Sequence, residues 1–152
     1  MFPRAAFILC LAMSLVLVAQ SKSGKDSDKN YNGPTKVFGK PVTMPSGLQY
    51  WDIKKGTGPV AGSGKQVKVN YTGWLLNGKE FDSSAKAGRP FSFMLGTGEV
   101  IKGWDQGLLG MSVGGKRQLR IPPALAYGPN GAGSAIPPNA TLVFDVELVD
   151  MK

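Results

Sequence analysis

Apolar and polar side chains alternate with a period of two in four stretches of the chain. Such alternation is typical of strands that bury one face and expose the other. The alternating apolar residues are Val67, Val69 and Tyr71; Phe91, Phe93 and Leu95; Leu119 and Ile121; and Leu142, Phe144, Val146 and Leu148. A further strand is predicted from Leu48, Tyr50 and Ile53. The pattern therefore predicts an antiparallel sheet with one buried face.

Two kinds of connection are predicted between these strands. Asn77-Gly78 predicts a hairpin, because both residues tolerate positive φ, and Glu80, Phe81 and Asp82 then open the returning strand. The segment 122–139 carries five prolines and is predicted to be a long loop. We therefore expect one tight hairpin and one extended loop before the last strand.

One stretch, residues 99–109, changes to the period of a helix. Its apolar residues fall on one stripe: Ile101, Trp104, Leu108 and Leu109. Gly103 and Gly107 each cost such a helix about 1 kcal/mol relative to alanine, so tertiary packing has to hold it. Several antiparallel strands and one short helix predict an α+β domain, in which one face of the sheet packs on the helix.

The first 46 residues differ in composition from the rest. Residues 1–4 include Arg4, residues 5–19 are uncharged and mostly apolar, and polar residues begin at Gln20. This layout predicts a secretory signal peptide over residues 1–20, or an N-terminal membrane anchor if it is not cleaved. Lipidation of Cys10 is a weaker alternative, because the preceding Leu9 is bulky. Residues 21–46 are predicted to be a disordered leader and residues 47–152 the folded domain.

Composition removes several classes of chemistry. The 152 residues include no histidine and one cysteine, Cys10, which lies in the predicted signal segment. A Ser-His-Asp triad, a Cys-His dyad and a His-liganded metal site are thereby excluded. We expect no metal and no cofactor.

The net charge of +8 raises the question of nucleic-acid or membrane partners. The lysines of the predicted leader are spread out and interrupted by Asp26 and Asp28, and no basic helix or aromatic RNA-binding motif accompanies them. A solvated basic surface is therefore expected, with no nucleic-acid partner and membrane contact only through an uncleaved signal segment. Without a long apolar seam, a monomer is expected.

Six motifs together resemble the FKBP-type peptidyl-prolyl cis/trans isomerases. They occur in that family's order and with similar spacing, and they cover essentially residues 47–152. The motifs are Val69-Asn-Tyr-Thr-Gly73, Gly78-Lys-Glu-Phe-Asp-Ser-Ser84, Phe91-Ser-Phe-Met-Leu-Gly96, Glu99-Val-Ile-Lys-Gly-Trp-Asp-Gln-Gly107, Ala126-Tyr-Gly128 and Ile136-Pro-Pro-Asn-Ala-Thr-Leu-Val-Phe-Asp145. The resemblance implies an antiparallel sheet wrapped around one short helix, with a pocket between them.

The resemblance also implies which residues form that pocket. Asp82, Phe81, Tyr127 and Ile101 would be the catalytic set, with the Ile101 N–H and the Tyr127 hydroxyl donating hydrogen bonds to peptide carbonyls. Trp104 would form the floor. The other substrate-binding residues would be Tyr71, Phe91, Val100, Ile136 and Phe144. Without the resemblance, such large apolar residues at these periods would be assigned to a core.

Two departures from the family's pattern affect the surroundings of the pocket. Residues 131–135 are all small, where many members carry a sizeable side chain, and Ala87 stands where a basic residue often lies near the pocket carboxylate. One wall is therefore expected to be lean, and Asp82 to lack a cationic partner.

The function implied by the resemblance is rotation about Xaa-Pro bonds in folding or exported proteins. Partners would be proline-containing polypeptides, and macrolides of the tacrolimus or rapamycin type would inhibit. An exported location, periplasmic or secreted, follows from the signal segment. The lean loop leaves open a second reading, a binding module or chaperone without turnover. A basic surface binder is a third reading.

Overall fold

A computed structural model describes residues 31–152, so the predicted signal segment lies outside the described residues. Gly33–Lys152 form one compact unit. Its strands are β1 (Val42–Thr43), β2 (Gln49–Lys54), β3 (Gln66–Leu75), β4 (Glu80–Ser83), β5 (Phe91–Met94), β6 (Lys116–Ile121) and β7 (Leu142–Met151), and its α-helix is α1 (Lys102–Gly107). Short 3-10 turns span Ser84–Ala87, Pro123–Leu125 and Gly128–Asn130.

The described strands form one antiparallel sheet in the order β1-β2-β6-β7-β3-β4, with β5 also paired to β3. The predicted α+β class, an antiparallel sheet with one short helix, is confirmed. Strands β3 and β7 are the longest, at ten residues each, and they pair along almost their whole length. This central pair presents one face to α1, and we call it the inner face; the opposite face is the outer face.

The helix α1 depends on close packing against β6. A β-carbon at Gly103 would lie 2.5 Å from Ile121 Cγ2, and one at Gly107 would lie 2.8 Å from Leu119 Cδ2. The two glycines that weaken the helix are thus what allows its backbone to approach the sheet. Trp104 and Leu108 are buried in the resulting core, at 4% and 2% exposure.

Arg117 on β6 fixes the end of α1. Its side chain is buried, its Nη1 donates to the carbonyl oxygens of Gly107 (2.8 Å) and Leu109 (3.3 Å), and its Nε pairs with Asp52 Oδ1 at 2.8 Å. The last carbonyls of a helix have no partner within the helix. A charged donor therefore satisfies them and ties the helix to the sheet.

The hairpin predicted at Asn77-Gly78 joins β3 to β4, but with a longer turn than two residues. Gly78 takes positive φ (87°), whereas the Asn77 side chain accepts a hydrogen bond from the Lys79 N–H (2.9 Å). The Leu75 N–H donates to the Lys79 carbonyl at 2.9 Å and closes the loop.

Residues 33–46 differ from the disordered leader that composition predicts. The Thr35 carbonyl accepts from Gln118 Nε2 (2.7 Å), the Gly39 carbonyl accepts from Trp51 Nε1 (3.1 Å), and β1 pairs with β2. Met44 packs against the core, but most of these contacts are hydrogen bonds to the sheet. A compositional argument counts apolar burial and so does not detect them. Among residues 31–152, no helix is both long and apolar enough to cross a membrane.

Candidate active site

A cavity of about 540 Å³ opens between the inner face of the sheet and the start of α1. Strands β3, β4, β5 and β7, the segment before α1 and the loop after β6 each contribute to it. The lining residues are Tyr71, Phe81, Asp82, Phe91, Glu99, Val100, Ile101, Trp104, Tyr127 and Phe144. Eight of these ten side chains are aliphatic or aromatic and two are acidic. Sites for small organic groups typically combine apolar side chains with a few polar groups in this way.

Trp104 lies at the bottom of this cavity. Its indole ring packs edge-on against Tyr71 and Phe144, with centroid distances of 4.9 and 5.3 Å, and lies 5.6 Å from Phe93. T-shaped pairs of this kind fix ring orientation as well as burying area. The floor of the cavity is therefore a rigid aromatic surface set by the packing of α1.

Gly73 on β3 makes room for the wall formed by Phe81 and Phe144. These two rings meet edge-on at 5.4 Å, and a β-carbon at Gly73 would lie 2.6 Å from both of them. The inward position of a strand is left without a side chain so that two rings from neighbouring strands can meet there. Sequence reasoning did not single out Gly73, although a glycine inside an alternating strand is a signal of close approach.

Asp82 lies at the cavity edge with hydrogen bonds from two donors. The Tyr71 hydroxyl donates to Oδ2 (2.7 Å), and the Ser83 N–H donates to Oδ1 (2.8 Å). Burial raises the pKa of Tyr71 well above its usual range, and the hydrogen bond to Asp82 adds to this. Burial also raises the pKa of Tyr127, with the charge of Asp82 as the second cause. Both hydroxyls therefore stay protonated at neutral pH.

At the cavity floor, the buried Trp104 indole N–H has no hydrogen-bond partner within residues 31–152, and two further donors also lack one. Neither the Ile101 N–H nor the Tyr127 hydroxyl makes a hydrogen bond to another group of residues 31–152. The Ile101 carbonyl, in contrast, accepts from the N–H groups of Trp104 (3.0 Å) and Asp105 (3.3 Å) at the start of α1. The site thus combines an aromatic surface with two donors that are available to a ligand carbonyl.

Of the ten predicted site residues, nine line the cavity and Ile136 does not. Ile136 is buried at 5% exposure within the core, and its backbone pairs with Ala132 in an isolated bridge. Glu99, which sequence reasoning did not select, lines the cavity instead.

The small-residue loop 131–135 contributes no side chain to the cavity lining. Gly131 has φ of 64°, and a β-carbon there would collide with the Ile136 carbonyl. Asp82 forms no ion pair within residues 31–152. Within the same part of the chain, no group of three or more acidic, cysteine or histidine side chains is placed to hold a metal ion.

A larger groove, about 730 Å³, lies on the outer face of the sheet. Its floor includes Asp145, which is only 7% exposed, and the rest of its lining is largely polar. Oδ2 of Asp145 accepts from the N–H and the hydroxyl of Thr35 (2.9 and 2.6 Å), and Oδ1 accepts from Gln118 Nε2 (2.9 Å). Because these bonds hold residues of the chain itself, the inner cavity is the better candidate site.

Comparison with known proteins places this geometry in a family. Residues 58–149 match the model of the family described as FKBP-type peptidyl-prolyl cis-trans isomerase. "FK506-binding protein 4" of Dictyostelium discoideum is 61% identical over 108 residues, which are 71% of this chain and 29% of that protein. The chain thus spans less than a third of that relative's length.

A shorter relative and a solved structure match over most of their own length. The "FK506-binding protein" of Neisseria meningitidis serogroup B is 53% identical over 103 residues, which are 68% of this chain and 94% of that protein. The crystal structure of AtFKBP13 superposes with a TM-score of 0.71 at 46% identity, covering 75% of this chain and all of that one. The chain therefore belongs to the family of FKBP-type peptidyl-prolyl cis-trans isomerases.

Proposed function

We propose that this chain accelerates cis-trans rotation about Xaa-Pro bonds of polypeptides bound in the inner cavity. The observation that carries the proposal is the pairing of an aromatic floor, Trp104, with two unpartnered donors, the Ile101 N–H and the Tyr127 hydroxyl. An aromatic surface fits the apolar proline ring, and the two donors fit the carbonyl groups on either side of it.

The barrier to rotation about the Xaa-Pro bond can be lowered by an aromatic environment such as that of the cavity. The planar amide resists rotation with a barrier of about 18–20 kcal/mol because its C–N bond has double-bond character. Twisting the bond removes that resonance, so the carbonyl becomes less polar and the proline nitrogen more amine-like. A water-poor aromatic cavity favours this less dipolar state over the planar one, and each tenfold acceleration needs about 1.4 kcal/mol of such preference.

The cavity residues have different roles in this proposal. Trp104, Phe81 and Phe144 bind the ring and exclude water, and the Ile101 N–H and Tyr127 hydroxyl orient the peptide. Asp82 accepts the hydrogen bond of the Tyr71 hydroxyl (2.7 Å) and so fixes that ring in the cavity wall. No bond is made or broken, so neither a nucleophile nor a proton donor is required.

The test is a protease-free measurement of cis-trans exchange in a short Xaa-Pro peptide. Wild-type protein should accelerate exchange, and Phe81→Ala and Asp82→Leu should each remove most of the acceleration. Phe38→Ala and Asp150→Leu are matched controls, because Phe38 is 88% exposed and both residues lie outside the cavity lining. Wild-type exchange at the rate of the buffer blank would refute the proposal.

A second candidate function is a binding module that holds unfolded chains without turnover. Phe91 and Tyr127 at the cavity rim are each 42% exposed, and such aromatic surface can hold apolar segments of a client. Suppression of client aggregation that survives in Phe81→Ala and Asp82→Leu, without catalysed exchange, would favour this reading over isomerisation.

The setting of the domain is also part of the proposal. The predicted signal segment supports an exported protein that acts on proline-containing chains outside the cytosol. Family membership supports inhibition by macrolides of the tacrolimus or rapamycin type, and we also propose that the protein is a monomer. Fractionation and the N-terminal sequence of the mature protein would test export. Sedimentation equilibrium would test the monomer.

A further inference from the structure

The turn that leads from β5 into α1 is held by a side chain of the helix. The N–H groups of Gly96 and Gly98 donate to the two carboxylate oxygens of Asp105, at 2.8 Å to Oδ1 and 2.9 Å to Oδ2. Both glycines have positive φ, 81° and 79°. Hydrogen bonds to an ionised acceptor are among the stronger ones in proteins, so Asp105 clamps a turn that favours glycine.

Asp105 also fixes the other end of the same segment. Its own N–H donates to the Ile101 carbonyl (3.3 Å), beside the Trp104 N–H, which donates to the same oxygen at 3.0 Å. The segment from Gly98 to Ile101 is therefore held at both ends by one residue. That segment contains three residues of the cavity lining: Glu99, Val100 and Ile101.

We infer that Asp105 is a positioning residue, which sets the direction of the Ile101 N–H into the cavity without itself lining it. The inference rests on the proposed function, because it assigns the Ile101 N–H to a peptide carbonyl. Two other side chains hold this turn: the Thr97 hydroxyl donates to the Met94 carbonyl (2.9 Å), and the Glu99 carboxylate accepts from the Met94 N–H (3.0 Å). Neither reaches the N–H groups of Gly96 and Gly98, which are exposed and bond only to Asp105. Small displacements of an orienting donor weaken catalysis steeply, so the clamp acts on turnover and on peptide affinity together.

The test compares Asp105→Ala, Asp105→Asn and the control Asp150→Ala, an exposed aspartate on β7 outside the cavity lining. Peptide exchange, peptide affinity and the amide NMR resonances of Gly96, Gly98 and Ile101 are measured on each folded variant. In Asp105→Ala we expect all three resonances to shift, the dissociation constant to rise several-fold and kcat/KM to fall about tenfold. Asp105→Asn, which keeps one acceptor, should fall between Asp105→Ala and wild type, and Asp150→Ala should match wild type.

Two results would overturn the inference. One is a set of unchanged glycine resonances in Asp105→Ala, which would mean that the clamp does not exist in solution. The other is a shift of the glycine resonances with kcat/KM and peptide affinity both within twofold of wild type, which would make Asp105 merely structural. If wild type itself lacks catalysed exchange, the proposed function fails separately, and peptide affinity alone then decides whether Asp105 positions the Ile101 donor. Urea unfolding of each variant identifies any loss that comes from stability.

Discussion

The polar groups on the two sides of β7 are in opposite hydrogen-bonding states. On the outer face, the Asp145 carboxylate accepts three hydrogen bonds from Thr35 and Gln118. On the inner face, Phe144 helps to line a cavity where the Ile101 N–H and the Tyr127 hydroxyl have no partner within residues 31–152. Adjacent residues of one strand thus contribute to a saturated hydrogen-bond cluster and to a cavity with unpartnered donors.

The comparison shows that the volume of a cavity does not by itself identify the functional site. The outer groove is the larger of the two, yet its buried carboxylate already holds the chain's own segment. The inner cavity is smaller, but its donors remain available to a ligand. Buried polar groups are normally satisfied, so the buried Trp104 indole N–H, which has no partner within residues 31–152, is the more informative sign of a site.

The largest expected effect comes from Phe144, which belongs to both the core and the cavity. Phe144→Ala should lower the free energy of unfolding by about 3–5 kcal/mol, because it removes a ring that is 4% exposed and contacts Trp104 and Phe81. Urea unfolding measures the loss, and catalysed exchange should fall as well. A loss below about 1 kcal/mol would mean that the ring is not packed as described.

Asp145→Ala tests the outer face and should affect stability alone. Loss of the carboxylate leaves the Thr35 and Gln118 donors without their acceptor, and we expect the free energy of unfolding to fall by about 1–3 kcal/mol. Catalysed exchange by the folded protein should stay within about twofold of wild type, equivalent to less than 0.5 kcal/mol. A large loss of catalysis without unfolding would show that the two faces are coupled.

Tyr127→Phe tests the inner face and, unlike Asp145→Ala, should affect catalysis rather than stability. Removing one hydroxyl donor should lower kcat/KM by up to about tenfold, in line with a hydrogen bond worth about 0.5–1.5 kcal/mol. The free energy of unfolding should barely change, because the hydroxyl has no partner within residues 31–152 and the residue is 42% exposed. Tyr50→Phe is the matched control outside the cavity lining.

The smallest effect is expected from alkaline pH. The folded-state pKa values of Tyr71 and Tyr127 are raised, so their stabilising contribution is fully present below the unfolded value of about 10 and is lost only above it. Between pH 7 and 9, deprotonation of these hydroxyls should therefore change neither kcat/KM nor stability. Absorbance at 295 nm would follow their titration. A loss of activity that tracks early phenolate formation would contradict this.

Alternation and helical spacing were sufficient to predict the strands β3 and β7 and the stripe that brings Trp104 to the sheet. They could not place Ile136 in the core, because a loop carries no period and Ile136 pairs only in an isolated bridge with Ala132. Gly73 and Asp105 were not identified from the sequence for other reasons. Gly73 acts through the side chain that it lacks, and Asp105 acts on backbone N–H groups, which no residue pattern identifies.

The ordered segment before β2 could not be predicted from the sequence either. Strand β1 has two residues, too few for a period to appear, and Thr35 is held by Asp145 across 110 positions of sequence. Such contacts depend on which polar groups the completed sheet leaves unsatisfied. They become visible only when the register of β6 and β7 is known.

The most direct test of the inner cavity as the site of catalysis is a macrolide titration of peptide exchange. At a protein concentration well above the dissociation constant of a compound of the tacrolimus type, the catalysed rate should fall linearly as the compound is added and reach the uncatalysed rate at about one molecule per protein. The Trp104 indole N–H resonance should shift in parallel. Catalysed exchange that persists after the Trp104 resonance has reached its bound position would contradict the proposal, because catalysis would then occur elsewhere on the molecule.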